Sequence, residues 1–241
     1  MGMRQSVRPG EYFAHKGVCF EVVITGTLRR HTQTYTGMCE GTGIGLPVLP
    51  WPGLNEYDSA TVIAAIHPQP LDKPHTPEMY RHHFRLLRAG LTQWMNGVMS
   101  PVGMPSYTEF VGGVTSALEH LRRNFEGNVL IVSSGGPISP AVGQVLGTTP
   151  ETTIELNPRI RNNFVTEFAF NPKCHMLLIY NTLPTWLRRR TPTGSRSPDS
   201  RRAGVAAKLC APTCAAADSG IGASGQPVDR ASTCTAAAFS K

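Results

Sequence analysis

Long apolar runs are missing from this chain. No segment approaches the roughly 18 consecutive apolar residues of a membrane span, and no apolar core follows Met1 that would read as an export signal. The sequence therefore reads as a cytoplasmic protein with no membrane partner. Metal-ligand spacing is missing too. Of the six cysteines, Cys210 and Cys214 lie four apart, but no Cys or His pair sits near them. A zinc site is not expected, no other cofactor is implied, and the thiols are expected to be reduced. Gly41-Thr42-Gly43-Ile44-Gly45 lacks dinucleotide-fingerprint spacing and reads as a helix end. Met1-Gly2-Met3-Arg4-Gln5-Ser6 fits the short myristoylation pattern and reads as coincidence.

Acidic residues are scarce: the net charge is +7. Nine Lys/Arg and three Asp fall in residues 188–241, so that segment carries +6 and the first 187 residues only +1. The basic balance belongs to the tail. Large apolar residues there are limited to Val205, Leu209, Ile221, Val228 and Phe239, amid Ala, Ser, Thr, Gly, Pro and Arg. Such composition cannot bury enough surface to offset ordering entropy. The tail is expected to be disordered. It has neither the charge density nor the interleaved aromatics of a nucleic-acid arm, so no specific nucleic acid is expected as a partner.

What is present, with 40% hydrophobic residues, is the patterning of a layered fold. Phe20-Glu21-Val22-Val23-Ile24-Thr25 reads as a strand, and Leu28 to about Glu40 as a helix with Leu28, Tyr35, Met38 and Cys39 on its buried stripe. A second short strand ends near Pro50. Thr76-Pro77-Glu78 combines a cap residue, a first-position proline and a first-turn acid. Tyr80, Phe84, Leu87, Leu91, Trp94 and Val98 then recur at helical spacing. Ser106 and Glu109 form a capping box. Val129 to Val132 is an unbroken apolar strand of the kind covered on both faces. Phe164 to Phe170 and Met176 to Tyr180 flank Asn171-Pro172-Lys173 as a hairpin. The order predicts an α/β protein, a three-layer α/β/α sandwich over residues 1–187, followed by the tail at 188–241.

Three stretches carry chemistry. Val129-Leu130-Ile131-Val132-Ser133-Ser134-Gly135-Gly136-Pro137 is a strand running into a glycine turn and a helix start. Bare N–H groups there suit an anion. Gly26-Thr27-Leu28-Arg29-Arg30-His31 places an arginine where it could fork onto a phosphate; alone, Arg30 reads as a surface residue. Leu54-Asn55-Glu56 places a carboxylate after a strand, where a raised pKa would make it a proton donor; alone, Glu56 reads as a loop hydrogen-bonder. His31 reads as packed or solvent-facing. His82 and His83 point to different helix faces, which disfavours a shared metal.

In this order and spacing the three stretches resemble the histidine phosphatase superfamily, the phosphoglycerate-mutase-like family, over roughly residues 4 to 187. The resemblance implies a small phosphorylated substrate or phosphate as ligand and no cofactor. It makes Arg30 a phosphate arginine, Glu56 the acid that protonates the leaving group, and Ser134 and Gly135 substrate-binding. Val132-Ser133-Ser134-Gly135-Gly136 matches a strand that in the family ends Ser-His-Gly-Gly. Asn162, the hairpin and Asn181-Thr182-Leu183-Pro184 look like the family's closing run.

The departures shape the expectation. The family's first strand ends in Arg-His-Gly, whose histidine accepts the phosphate; this chain has no Arg-His-Gly, and Ser134 stands where the second histidine is usual. Met1 to Gly17 looks like the helix that follows that motif, interrupted by Pro9-Gly10, which cost a helix about 3–4 kcal/mol in propensity. The first strand is thus expected to be missing, from a wrong start codon or a truncated gene, leaving two strands with unpaired backbone groups at about 1–3 kcal/mol each. The change after Leu187 reads as a frameshift. Ancestral phosphomonoester hydrolysis through a phosphohistidine, inactive or weak in this chain, is the functional expectation. A non-catalytic phosphate-binding or partner-binding module, or a gene remnant, stand as alternatives. The oligomeric state is not legible.

Overall fold

The computed structural model describes residues 2–184 and 232–238. Its centre is a sheet of six strands: β1 (Phe20–Thr25), β2 (Val48–Pro50), β3 (Asn128–Ser133), β4 (Phe164–Phe170), β5 (His175–Thr182) and β6 (Ser232–Ala238), in the order β2-β1-β3-β6-β4-β5. The first four in that order pair in parallel, and β4 runs antiparallel to both β6 and β5. Among the described residues seven helices surround it: α1 (Gly2–His15), α2 (Arg29–Thr42), α3 (Ser59–Ala64), α4 (Pro77–Met95), α5 (Tyr107–Asn124), α6 (Gly135–Leu146) and α7 (Pro150–Leu156).

Strand alternation sorts the core into two faces. Val22, Ile24, Val129 and Ile131 point toward α5 and α6 and pack with Val114, Leu118, Leu121, Ile138 and Val142. Val23, Leu130 and Val132 point the other way and pack with Phe13 of α1 and Met38 of α2. The expected three-layer α/β/α sandwich is therefore the architecture. A satellite cluster of Val62, Leu91, Trp94, Phe110 and Ile154 ties α3, α4, α5 and α7 together.

The Pro9-Gly10 interruption does not break α1, which runs through it. Packing overrides propensity here. A Cβ on Gly10 would lie 2.4 Å from the Met38 carbonyl oxygen, and one on Gly41 would lie 2.0 Å from that of Val7. The two helices cross at glycine-to-glycine distance, and that close contact offsets the helix-breaking cost. α2 ends where expected, on Gly43 at φ 71°.

The structure departs from the expectations at three points. Within the tail expected to be disordered at 188–241, Ser232–Ala238 forms β6; the rest of it, 188–231 and 239–241, lies outside the described residues. The unpaired strands expected in mid-sheet are not found, because β3 and β4 both pair along β6. A composition argument weighs side-chain burial. A place between two ladders instead rewards any short segment whose backbone N–H and C=O groups can fill it. The thiol expectation fails at Cys19, which is disulfide-bonded; Cys39 and Cys174 are free. Compartment sets only a default, and proximity of two sulfurs decides the individual case.

Candidate functional site

The carboxyl ends of β1, β2 and β3 open onto three loops, and hydrogen bonds lock these together. The Asn55 side-chain oxygen accepts the N–H groups of Thr27 at 2.7 Å and Leu28 at 3.3 Å, and its amide nitrogen donates to the Thr27 hydroxyl at 2.7 Å. The Ser133 hydroxyl donates to the Leu54 carbonyl at 2.8 Å. The first turn of α2, which follows β1, carries Arg30, the loop after β2 carries Glu56, and the turn after β3 carries Ser134. The three side chains expected to act together therefore meet in one place.

Arg30 Nε donates to the Ser134 hydroxyl at 3.1 Å, and its Nη2 lies 4.0 Å from Glu56 Oε2. The Gly136 N–H donates to Glu56 Oε2 at 3.1 Å. Glu56 Oε1 is buried with no hydrogen-bond partner among the described residues. Burial pushes the Glu56 carboxyl above the usual carboxylate range; the Gly136 N–H, the Arg30 charge and the Tyr57 N–H restrain the rise without cancelling it. A proton is therefore available at Glu56 closer to neutrality than at an exposed carboxyl.

Gly135 opens α6, where an added Cβ would lie 2.8 Å from the side-chain oxygen of Asn157. The amide that contacts the site's carboxylate belongs to Gly136. A Cβ there would fall 1.6 Å from Glu56 Oε1. The second glycine thus creates room for the acid, while the expectation had placed the first at the ligand.

His31 was not expected in the site. It is fully buried, and its Nε2 lies 2.6 Å from the Ser134 hydroxyl oxygen. Burial first, and then the Arg30 charge, lower its pKa to about 4, against a smaller upward pull from the Gly26 backbone. The imidazole is neutral at physiological pH, its ring against Gly26, where a Cβ would stand 2.2 Å from Nδ1. Ser134 therefore sits between a neutral imidazole and a guanidinium, accepting from Arg30 Nε and free to donate to His31 Nε2. The available signal was helical spacing: His31, Thr34 and Met38 form the buried face of α2. An apolar-only reading passes over a polar member of such a face.

Arg30 and Glu56 line a cavity of about 830 Å³, within the range of small-molecule sites. Tyr57 and Asp58, Phe84, Leu87, Arg88 and Leu91 of α4, and Asn157, Ile160 and Asn162 line it with them. Asn157 donates to the Tyr57 hydroxyl at 2.7 Å and so braces the wall beside Glu56. Asp58 caps α3, accepting from the Ala60 N–H and the Thr61 hydroxyl, which hold its carboxyl below the usual range. Among the described residues, no group of three or more His, Cys, Asp or Glu is placed to hold a metal ion, and no helix is long and apolar enough to cross a membrane.

A family model, histidine phosphatase superfamily (branch 1), matches residues 1–182. Among solved structures, the mycobacterial glucosyl-3-phosphoglycerate phosphatase in complex with inorganic phosphate is 14% identical. That match covers 76% of this chain and 86% of that one, at a TM-score of 0.51. Mycobacterial hydrolase 1 is 18% identical, with 75% and 84% covered and a TM-score of 0.53. Mycobacterial hydrolase 2 is 16% identical, with 75% and 78% covered and a TM-score of 0.53. At these identities the likeness is one of fold. No curated protein sequence matches the chain.

Proposed function

Since the chain belongs to the histidine phosphatase superfamily (branch 1), we propose that the cavity holds the phosphate of a small phosphorylated compound, gripped by Arg30 and placed beside Glu56. One observation carries this reading. A guanidinium, a carboxyl of raised pKa and a hydroxyl converge from three separate chain segments, with Arg30 Nε at 3.1 Å from Ser134 and Nη2 at 4.0 Å from Glu56. A guanidinium with free N–H groups is the natural partner of a phosphate oxygen. Glu56, whose pKa burial raises, is the group able to donate to a leaving alkoxide.

The family's phosphate acceptor is the histidine of Arg-His-Gly, and that motif does not occur in this sequence. In a chain without it, water would have to accept the phosphoryl group. A water that no side chain holds in line forgoes most of the about 7–11 kcal/mol that a well-placed nucleophile can supply. The reading is therefore phosphate-monoester binding with hydrolysis weak or absent. Inorganic phosphate should raise the melting temperature of the full chain, and Arg30→Ala should abolish that rise. An aryl phosphate should be turned over slowly at best, with the residual rate falling further in Glu56→Gln. A melting temperature indifferent to phosphate would refute the site.

A further inference from the structure

The apolar stripe of α4 is only partly used by the core. Leu91 and Trp94 are buried, while Phe84 is 41% exposed and Leu87 half-buried. Phe84, Leu87 and Leu91 share one helix face, at i, i+3 and i+7, and all three line the cavity that Arg30 and Glu56 also line. Ile154 of α7 and Ile160 extend the same wall. An apolar stripe lining a large cavity, with Phe84 41% exposed on it, points to an apolar occupant.

The charges say what that occupant lacks. Four charged side chains line the cavity: Arg30, Glu56, Asp58 and Arg88. Arg30 serves the phosphate end. Arg88 is taken up in an ion pair with Glu155. Asp58 is held by its capping hydrogen bonds. A second anionic group on the ligand would meet a compensated arginine and a carboxylate.

We propose that the cavity selects phosphate monoesters of apolar alcohols or phenols, with no second acidic group, the ester's body lying against Phe84, Leu87 and Leu91. This rests on the phosphate reading above and names the substrate class for that site. Calorimetric titration of the full chain with inorganic phosphate, 1-naphthyl phosphate and 3-phosphoglycerate tests it. Naphthyl phosphate is expected to bind at least about tenfold more tightly than inorganic phosphate, as burial of an aromatic body implies. 3-Phosphoglycerate is expected to bind no more tightly than phosphate. Phe84→Ser, at a part-exposed position the core does not need, should erase most of the naphthyl advantage and leave phosphate affinity unchanged. If 3-phosphoglycerate matches or exceeds naphthyl phosphate, or Phe84→Ser weakens all three ligands alike, the substrate class is wrong and the phosphate site stands. If inorganic phosphate fails to bind, or Arg30→Ala retains naphthyl phosphate, the site itself is refuted and the class with it.

Discussion

Lowering the pH should destabilise this protein through one buried imidazole, and the effect can be isolated. His31 is fully buried and has its pKa lowered to about 4 from the ordinary 6.5. Between those values the unfolded chain takes up a proton at this residue and the folded chain does not. Stability therefore rises with pH across the window: the contribution is complete above about pH 7 and is lost as the pH falls from 6.5 toward 4. At 1.36 kcal/mol per pH unit the whole window is worth about 3 kcal/mol, and about 2.5 kcal/mol of that is gone by pH 4.5. Glu56 works in the opposite sense, since its raised pKa favours the folded state as it protonates, so the raw pH profile mixes the two. His31→Gln separates them, because glutamine can still face the Ser134 hydroxyl and does not titrate. Urea unfolding followed by tryptophan fluorescence at pH 7.5 and 4.5, at constant ionic strength, should show the parent losing about 2–3 kcal/mol more than the variant. Parallel losses would mean that His31 is not held neutral by burial, and the account of the site's electrostatics would fail.

Gly136→Ala puts a Cβ 1.6 Å from Glu56 Oε1; expelling the carboxyl should cost about 1–3 kcal/mol in thermal unfolding and remove any aryl phosphatase activity that Glu56 supports. Gly41→Ala drives a methyl against the Val7 carbonyl and should lower stability by a similar amount through the α1–α2 crossing, with phosphate affinity unchanged. Trp94→Ala empties the centre of the satellite cluster, where the indole meets Tyr57, Tyr107 and Phe110 and donates to the Pro105 carbonyl at 3.1 Å. A loss of about 3–5 kcal/mol is expected, read as a fall in urea midpoint.

The strands that carry the site were legible because their side chains follow a strict period and a buried face. Phe20–Thr25 begins and ends where the apolar run does, and the strand predicted at Val129–Val132 extends by one residue at each end. The cap signals held at Thr76 and Ser106. The same Thr-Pro-Glu signal recurs at Thr149-Pro150-Glu151, where it starts α7, but α7 is too short to show a helical period behind its cap. α3 was passed over for the same reason: Asp58 caps six residues. The stripe from Tyr80 to Val98 recurs at helical spacing, yet Tyr80 and Val98 are exposed and Phe84 lines the cavity. Periodicity shows which residues share a face and says nothing of what covers it. β6 was illegible for a different reason, since its pairing uses backbone groups that every residue type provides.

Within the site, the residue types mattered less than the states that burial imposes on them. On sequence alone, Arg30, Glu56 and His31 could be two cations and an anion, with Glu56 cancelling the arginine. The fold instead buries the carboxyl and the imidazole and moves both toward neutrality, Glu56 upward and His31 to about 4. Burying either as an isolated ion would cost several kcal/mol. The shifts toward neutrality lower that cost, and the Arg30 guanidinium, 41% exposed, faces the cavity with its charge. Ser134 links the two sides, taking the Arg30 Nε hydrogen and able to donate its own to His31. An arriving phosphate dianion would then meet a guanidinium in a partly desolvated setting, where the attraction exceeds its value in water severalfold. It would also meet a Glu56 carboxyl that, once protonated, donates to an ester oxygen where a carboxylate would repel it. Replacing Glu56 with Gln should therefore preserve phosphate affinity. Replacing it with Asp, one methylene shorter and less able to reach the Gly136 N–H, should weaken binding by leaving a nearby carboxylate ionised.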